Sequence, residues 1–162
     1  MTRTNAATAP FDVPYILSNA KVQTIISYYF GPLIPAAEFP FRVILADEAY
    51  LAVSPEWVRN CILNDPVLVP QNYQNNVFDC DDYVQHVKTR MSLYAAACRL
   101  AAPLAVGYLF TKVHAFSFCI NPARELFLID TQSDAKAITH DATAFPAFLT
   151  WSPGNPITHI YI

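Results

Sequence analysis

Charge is scarce in this chain. Only 14% of its 162 residues are Asp, Glu, Lys or Arg, against 54% hydrophobic, and the net charge is −3 with a pI near 5.7. So little charge on so apolar a chain excludes disorder. The missing basic excess removes any electrostatic footprint for nucleic acid or for an anionic membrane. The four cysteines, Cys61, Cys80, Cys98 and Cys119, include no CxxC pair, which excludes a zinc ribbon or a thioredoxin-type motif. The N-terminal MTRTNAATAPFDVPY has no apolar h-region, so no secretory signal is visible, and the expectation is a cytoplasmic protein with free thiols. No spanning helix fits either. Arg99 and Pro103 interrupt the apolar run from Met91 to Phe110, and the uncharged stretch Leu100 to Thr111 falls short of the roughly 20 residues a span needs. Repeats and low-complexity segments are absent.

What is present suits one domain with a real core, expected over 13–162 behind a flexible tail at 1–12. Apolar spacing predicts a helix over 13–30, followed by an irregular proline-rich connection at 31–40. FRVILA (41–46) and LAVS (51–54) are β-prone runs either side of Asp47-Glu48, expected as a hairpin or a continuous edge. Ser54-Pro55-Glu56 starts a helix that runs to Leu63, with Ser as N-cap and Pro at the first helical position. Residues 64–76 read as loop. A long, mostly buried helix then begins at Cys80: Asp79 is a good N-cap, Asp81 and Asp82 sit in the first turn, and Cys80, Val84, Val87, Met91, Tyr94, Ala95 and Cys98 recur every three or four residues. PLAVGYLF (103–110), VHAFSFCI (113–120) and ELFLIDTQ (125–132) form an antiparallel meander, and THIYI (158–162) is β-prone. The fold class is α+β, a long helix packed on an antiparallel sheet.

Three residues in this layout carry chemistry. A cysteine at a helix N-terminus has its thiolate stabilised by the dipole and the free first-turn amides. A histidine on a neighbouring strand can pair with that thiolate, and a carboxylate on the next strand can hold the imidazole tautomer. Cys80, His114 and Asp130 supply these in order, and a hairpin centred near residue 122 sets His114 and Asp130 opposite each other. His114 alone would more often be a core histidine; its position relative to the other two gives it value. Asp79, Asp81 and Asp82 would repel a thiolate beside them, and a divalent cation would cancel that repulsion. Hard oxygen donors suit calcium, or less well manganese; the plain alternative is that the three acids only cap and complement the helix. Trp57 is a packing residue or lines a substrate groove, Gln132 and Asp134 bind substrate or metal or form a solvated strand end, and Cys61, Cys98 and Cys119 read as core. His86 reads as surface, and His140 and His159 carry no role.

The run Asp-Cys-Asp-Asp-Tyr, a helix, Val-His-Ala-Phe-Ser-Phe and then Leu-Ile-Asp-Thr-Gln-Ser-Asp resembles the papain-like cysteine proteases. It is most similar to the protease domain of the Marasmius oreades agglutinin with its small bacterial relatives, and also to bacterial transglutaminase-like cysteine peptidases. The likeness covers 79–134 well and 41–60 loosely. It implies nucleophile Cys80, base His114, orienting acid Asp130, an oxyanion donor at Gln74, and calcium held by Asp79, Asp81 and Asp82. The expected function is a cysteine hydrolase acting on a peptide or protein, with transamidation or deamidation served by the same residues. The alternative is a non-catalytic binding or inhibitor module on the same scaffold, for example an anti-defence protein of host or phage. The apolar excess over the usual 45–50% or so points to surface buried in a homodimer or against a partner.

Overall fold

The computed structural model describes residues 14–34, 38, 42–69, 72, 74, 77–131, 138–141, 143–149 and 156–162. The expected tail, Gln132 and Asp134 lie outside the described residues. The elements in chain order are β1 (Ile16–Ser18), α1 (Asn19–Phe30), a 3-10 turn (Gly31–Leu33), β2 (Val43–Ile44), β3 (Ala49–Leu51), α2 (Pro55–Leu63), α3 (Cys80–Ala97), β4 (Val106–Phe110), β5 (Ala115–Ile120), β6 (Leu126–Ile129), β7 (Ile138–Thr139), α4 (Phe145–Phe148) and β8 (His159–Tyr161). The α+β class stands. Among the described residues no helix is long and apolar enough to cross a membrane.

The first helix begins later than the apolar spacing suggested. Ser18 is its N-cap, the hydroxyl accepting from the Lys21 N–H at 3.3 Å. The residues before it alternate exposed, buried, exposed, so Ile16–Ser18 is a strand with only Leu17 inward. Its partner is β3, antiparallel, with Leu17 opposite Tyr50. The expected hairpin or edge around Asp47 does not form, because the two runs go to different sheets: β2 lies parallel to β8, with Val43 opposite Ile160. Tyr50 pins the bend between them. Its buried hydroxyl accepts from the Asp47 N–H at 2.9 Å and donates to the Ile162 carbonyl at 3.2 Å. Helix α2 starts as read, with the Ser54 hydroxyl accepting the Trp57 N–H at 3.2 Å.

The main sheet has the order β2-β8-β4-β5-β6-β7, with β4, β5 and β6 as the antiparallel meander. Strand β5 is buried on both faces and divides the interior in two. Phe116, Phe118 and Ile120 meet α1, where Phe30 packs edge-on to Phe118 at 5.9 Å. Cys119 looks the other way, into a core with Val106, Ile129, Val58 of α2 and Val87 and Met91 of α3. Each fully buried Phe contributes about 1.5–3 kcal/mol. Gly107 lets the sheet close. A Cβ there would collide with the Tyr161 carbonyl oxygen and the Phe118 ring. The layering puts the first turn of α3 at the end of the sheet where the β4–β5 connection emerges.

Candidate functional site

Helix α3 starts at Cys80 because its flanking acids form a capping box. The Asp79 N–H donates to Asp82 Oδ2 at 3.2 Å, and the Asp79 carboxylate accepts the Asp82 backbone N–H in return. Tyr83 anchors the same turn. It is buried, packs on Phe78 at 4.9 Å, and its hydroxyl donates to the Val69 carbonyl at 2.8 Å. Just upstream, Gln74 and Phe78 exchange backbone hydrogen bonds of 2.9 and 2.8 Å, which fixes the chain as it enters the helix.

His114 arrives from the opposite side on a four-residue connection, 111–114, longer than the two residues read from the sequence. Thr111 holds that connection. Its hydroxyl accepts the N–H groups of Val113 (3.3 Å) and His114 (3.0 Å) and donates to the His114 carbonyl (3.0 Å). Thr111 was missed in the sequence; the available signal was a hydroxyl residue opening a tight strand connection. The His114 ring stands edge-on to Phe116 at 4.5 Å.

Asp130 directly follows β6. Ser117 pairs with Ile129, so the hairpin is centred on 123, one residue beyond the expected 122. Asp130 is therefore opposite Phe116 and diagonal to His114, on the same face. The diagonal geometry leaves His114 Nε2 at 3.4 Å from Asp130 Oδ1, a long contact that acts more as an ion pair than as a tight hydrogen bond. The Cys80 side chain lies near enough to act on the ring as well. Burial of the ring pushes the His114 pKa down, but the hydrogen bonds and charges of Asp130 and Cys80 outweigh it and lift the value from 6.5 to about 9. At neutral pH the ring is an imidazolium facing sulfur.

These groups border a cleft of about 480 Å³, with Asp79, Cys80 and Asp81 on the helix side and Phe110 through Ala115 on the other. Val113, 69% exposed, forms an apolar rim. The Asp79, Cys80 and Asp81 ligand atoms all lie within 4.8 Å of one another. Asp82 is not among them, because its carboxylate is committed to the cap. A hydrogen bond with Asp79, burial and the neighbouring acids raise Asp81 above the ordinary carboxylate value. Asp79 and Asp81 supply part of the six to eight oxygens calcium takes, so backbone carbonyls and waters would have to complete the shell of an ion held there.

The remaining expected site residues are elsewhere. Gln74 is exposed and is not among the described residues lining the cleft. Trp57 is 6% exposed and packs on Tyr94 at 4.9 Å in a second cavity between α2 and α3. All four cysteines are free, but Cys98 is exposed rather than core and Cys61 is half-buried. His86 is not a bare surface residue: Nε2 is 3.1 Å from the buried carboxylate of Asp65, which Arg90 also meets at 3.3 Å.

Comparison with family models finds no match for this chain, and comparison with curated proteins finds none. Solved structures do share its fold. The PSL1a-E64 complex superposes with a TM-score of 0.68 at 15% identity, covering 91% of this chain and 51% of that one. Polyporus squamosus lectin bound to the human-type influenza-binding epitope Neu5Aca2-6Galb1-4GlcNAc gives 0.65 at 15% identity, covering 91% and 49%. This chain thus spans about half the length of the chains it matches, and at that identity the likeness is one of fold. The resemblance to papain-like cysteine proteases falls here, and the thiol-protease reading falls with it: no protease family matches, and the fold is shared with structures of a lectin. The motif behind that resemblance has a structural account. In Asp-Cys-Asp-Asp-Tyr, Asp79 and Asp82 cap α3 and Tyr83 fills the core beneath it.

Proposed function

We propose that this protein is a ligand-binding module whose ligand occupies the cleft at the start of α3, with the Cys80 thiol as its reactive group. The supporting observation is that Cys80 and His114 face one another from the two sides of that cleft, with Asp130 behind the His114 ring. An imidazolium held by a carboxylate favours a thiolate beside it, and a thiolate in a walled cleft can recognise an electrophile or an acidic proton on its ligand. A second reading follows from the same pair: the sulfur attacks a strained-ring ether carbon of the ligand, the C–S bond forming as the ring C–O bond breaks, and His114 passes its proton to the oxygen released.

The two ligands of the matched structures, E64 and the sialylated trisaccharide, are the first probes. Protection of Cys80 from iodoacetamide by either one, with Cys98 labelling unchanged, supports binding in the cleft. A mass increment on Cys80 that survives denaturation supports the covalent reading. If Cys80 labels no faster than the exposed Cys98 and neither probe slows it, the proposal is wrong.

A further inference from the structure

Strands β2, β8 and β4 carry a row of rings on the face that looks away from α1. Residues paired across strands share a face, and Ile44 opposes Tyr161, Tyr161 opposes Tyr108, and His159 opposes Phe110. The residues between them, Val43, Ile160 and Leu109, go to the α1 core instead. Helix α3 lies over β4 and β5 on the ring side, against Val106 and Cys119. Outward of α3 the face stays open: Ile44 is 45% exposed, His159 is exposed, and Tyr108, Phe110 and Tyr161 are half-buried. The rings brace one another. Tyr161 stacks on Tyr108 at 5.0 Å and on His159 at 6.0 Å, while Phe110 meets Tyr108 at 5.4 Å and Tyr161 edge-on at 6.0 Å. Arg42 borders the His159 end, its guanidinium bonded to Glu38 and to the Ile157 and Thr158 carbonyls. The other end runs into the Cys80 cleft, because Phe110 belongs both to the row and to the cleft wall.

We propose that the row is the specificity-determining extension of the cleft: a ligand whose reactive or acidic group meets Cys80 lays a flat, uncharged arm, above all an aromatic ring, over Phe110 toward Tyr161. The inference rests on the cleft being the ligand site. Continuity through Phe110 assigns the arm to the same ligand and not to a separate partner. The chemistry of the row names the arm. Its rings offer another ring stacked or edge-on contact. Already braced against each other, they lose little side-chain freedom when the arm arrives. No carboxylate, ammonium or guanidinium stands at its paired positions to hold a charged arm, and the Arg42 charge at its border is answered by Glu38.

The probes are iodoacetamide and 4-iodoacetamidobiphenyl, which share a reacting group and differ by an uncharged two-ring arm. Each is applied to the native full chain, and peptide mapping reads the rate at Cys80 against the exposed Cys98 of the same molecules. The quantity compared is the arm preference, the biphenyl rate over the iodoacetamide rate at Cys80, so any change in the intrinsic reactivity of the thiol cancels. The expected preference is about tenfold in wild type and at least about threefold smaller in Tyr161→Thr. Threonine suits a strand, and far-ultraviolet dichroism with a cooperative melt keeps the comparison on folded protein. Should Tyr161→Thr unfold, His159→Thr, changed at an exposed side chain, carries the test with the same expected loss. The proposal is overturned if wild type shows no arm preference, or if the preference is the same in the folded variants. The plain iodoacetamide rates test the cleft separately: a Cys80 no faster than Cys98 that still prefers the arm would sink the reactive-thiol reading alone.

Discussion

Replacing Asp130 by Asn tests the electrostatics of the cleft. The variant keeps the shape of the side chain and removes the charge beside His114 Nε2. In the folded protein His114 titrates at about 9 against 6.5 for the free side chain. At about 1.4 kcal/mol per pH unit this is worth about 3 kcal/mol to the folded state, shared between Asp130 and Cys80. Because the folded pKa is the raised one, this stability is fully present below 6.5, declines above it, and is gone once the pH passes about 9. The long 3.4 Å contact puts the Asp130 share nearer about 1 kcal/mol than the full amount. Denaturant unfolding should therefore show Asp130→Asn less stable than wild type by about 1 kcal/mol at mildly acidic pH, the gap closing as the pH rises past 9. The His114 ring protons, followed by NMR, should titrate at lower pH in the variant. A gap that is the same at pH 6 and above 9, or a wild-type His114 that titrates near 6.5, refutes the reasoning.

Three further outcomes follow from the packing and the cysteines. Asp65→Asn should cost about 1–2 kcal/mol at neutral pH, because it disrupts a buried carboxylate paired with His86 and Arg90. Burial alone would raise the Asp65 pKa, but the Val67 N–H and the two cations outweigh it, so the folded value is lowered and the gap should close as the pH falls through it, as acid unfolding would show. Gly107→Ala should lower stability by about 1–3 kcal/mol in thermal melts, since its methyl meets the Tyr161 carbonyl. Cys119 is fully buried and burial pushes its thiol up, so peptide mapping after alkylation of the native protein should find Cys98 modified and Cys119 untouched.

Much of this arrangement was legible because it is local. Ser54-Pro55 and Asp79 announce helix starts through capping chemistry alone, and the meander follows from apolar runs separated by short polar breaks. His114 and Asp130 could be brought together because parity survives a small error: shifting the hairpin centre by one residue moves the pairing by two and leaves both on the same face. What was not legible depends on long-range partners. Ile16–Ser18 is a strand only because β3 lies beside it, and the run at 41–46 joined β8, more than a hundred residues away, rather than its neighbour. Trp57 belongs to a second cavity because α2 turns its buried face toward α3, a tertiary fact with no local signature. The family resemblance was misled by residues whose work is capping. Acids around a cysteine at a helix start satisfy the helix first, and that pattern recurs wherever a helix needs a box.

The most direct test of the account is the rate of Cys80 alkylation by iodoacetamide in native wild type and in His114→Ala, at neutral pH, with Cys98 of the same molecules as the internal standard. The account predicts that Cys80 reacts faster than Cys98 in wild type and loses about tenfold or more in the variant, while Cys98 does not change. Equal Cys80 rates in the two proteins, both folded, would contradict it.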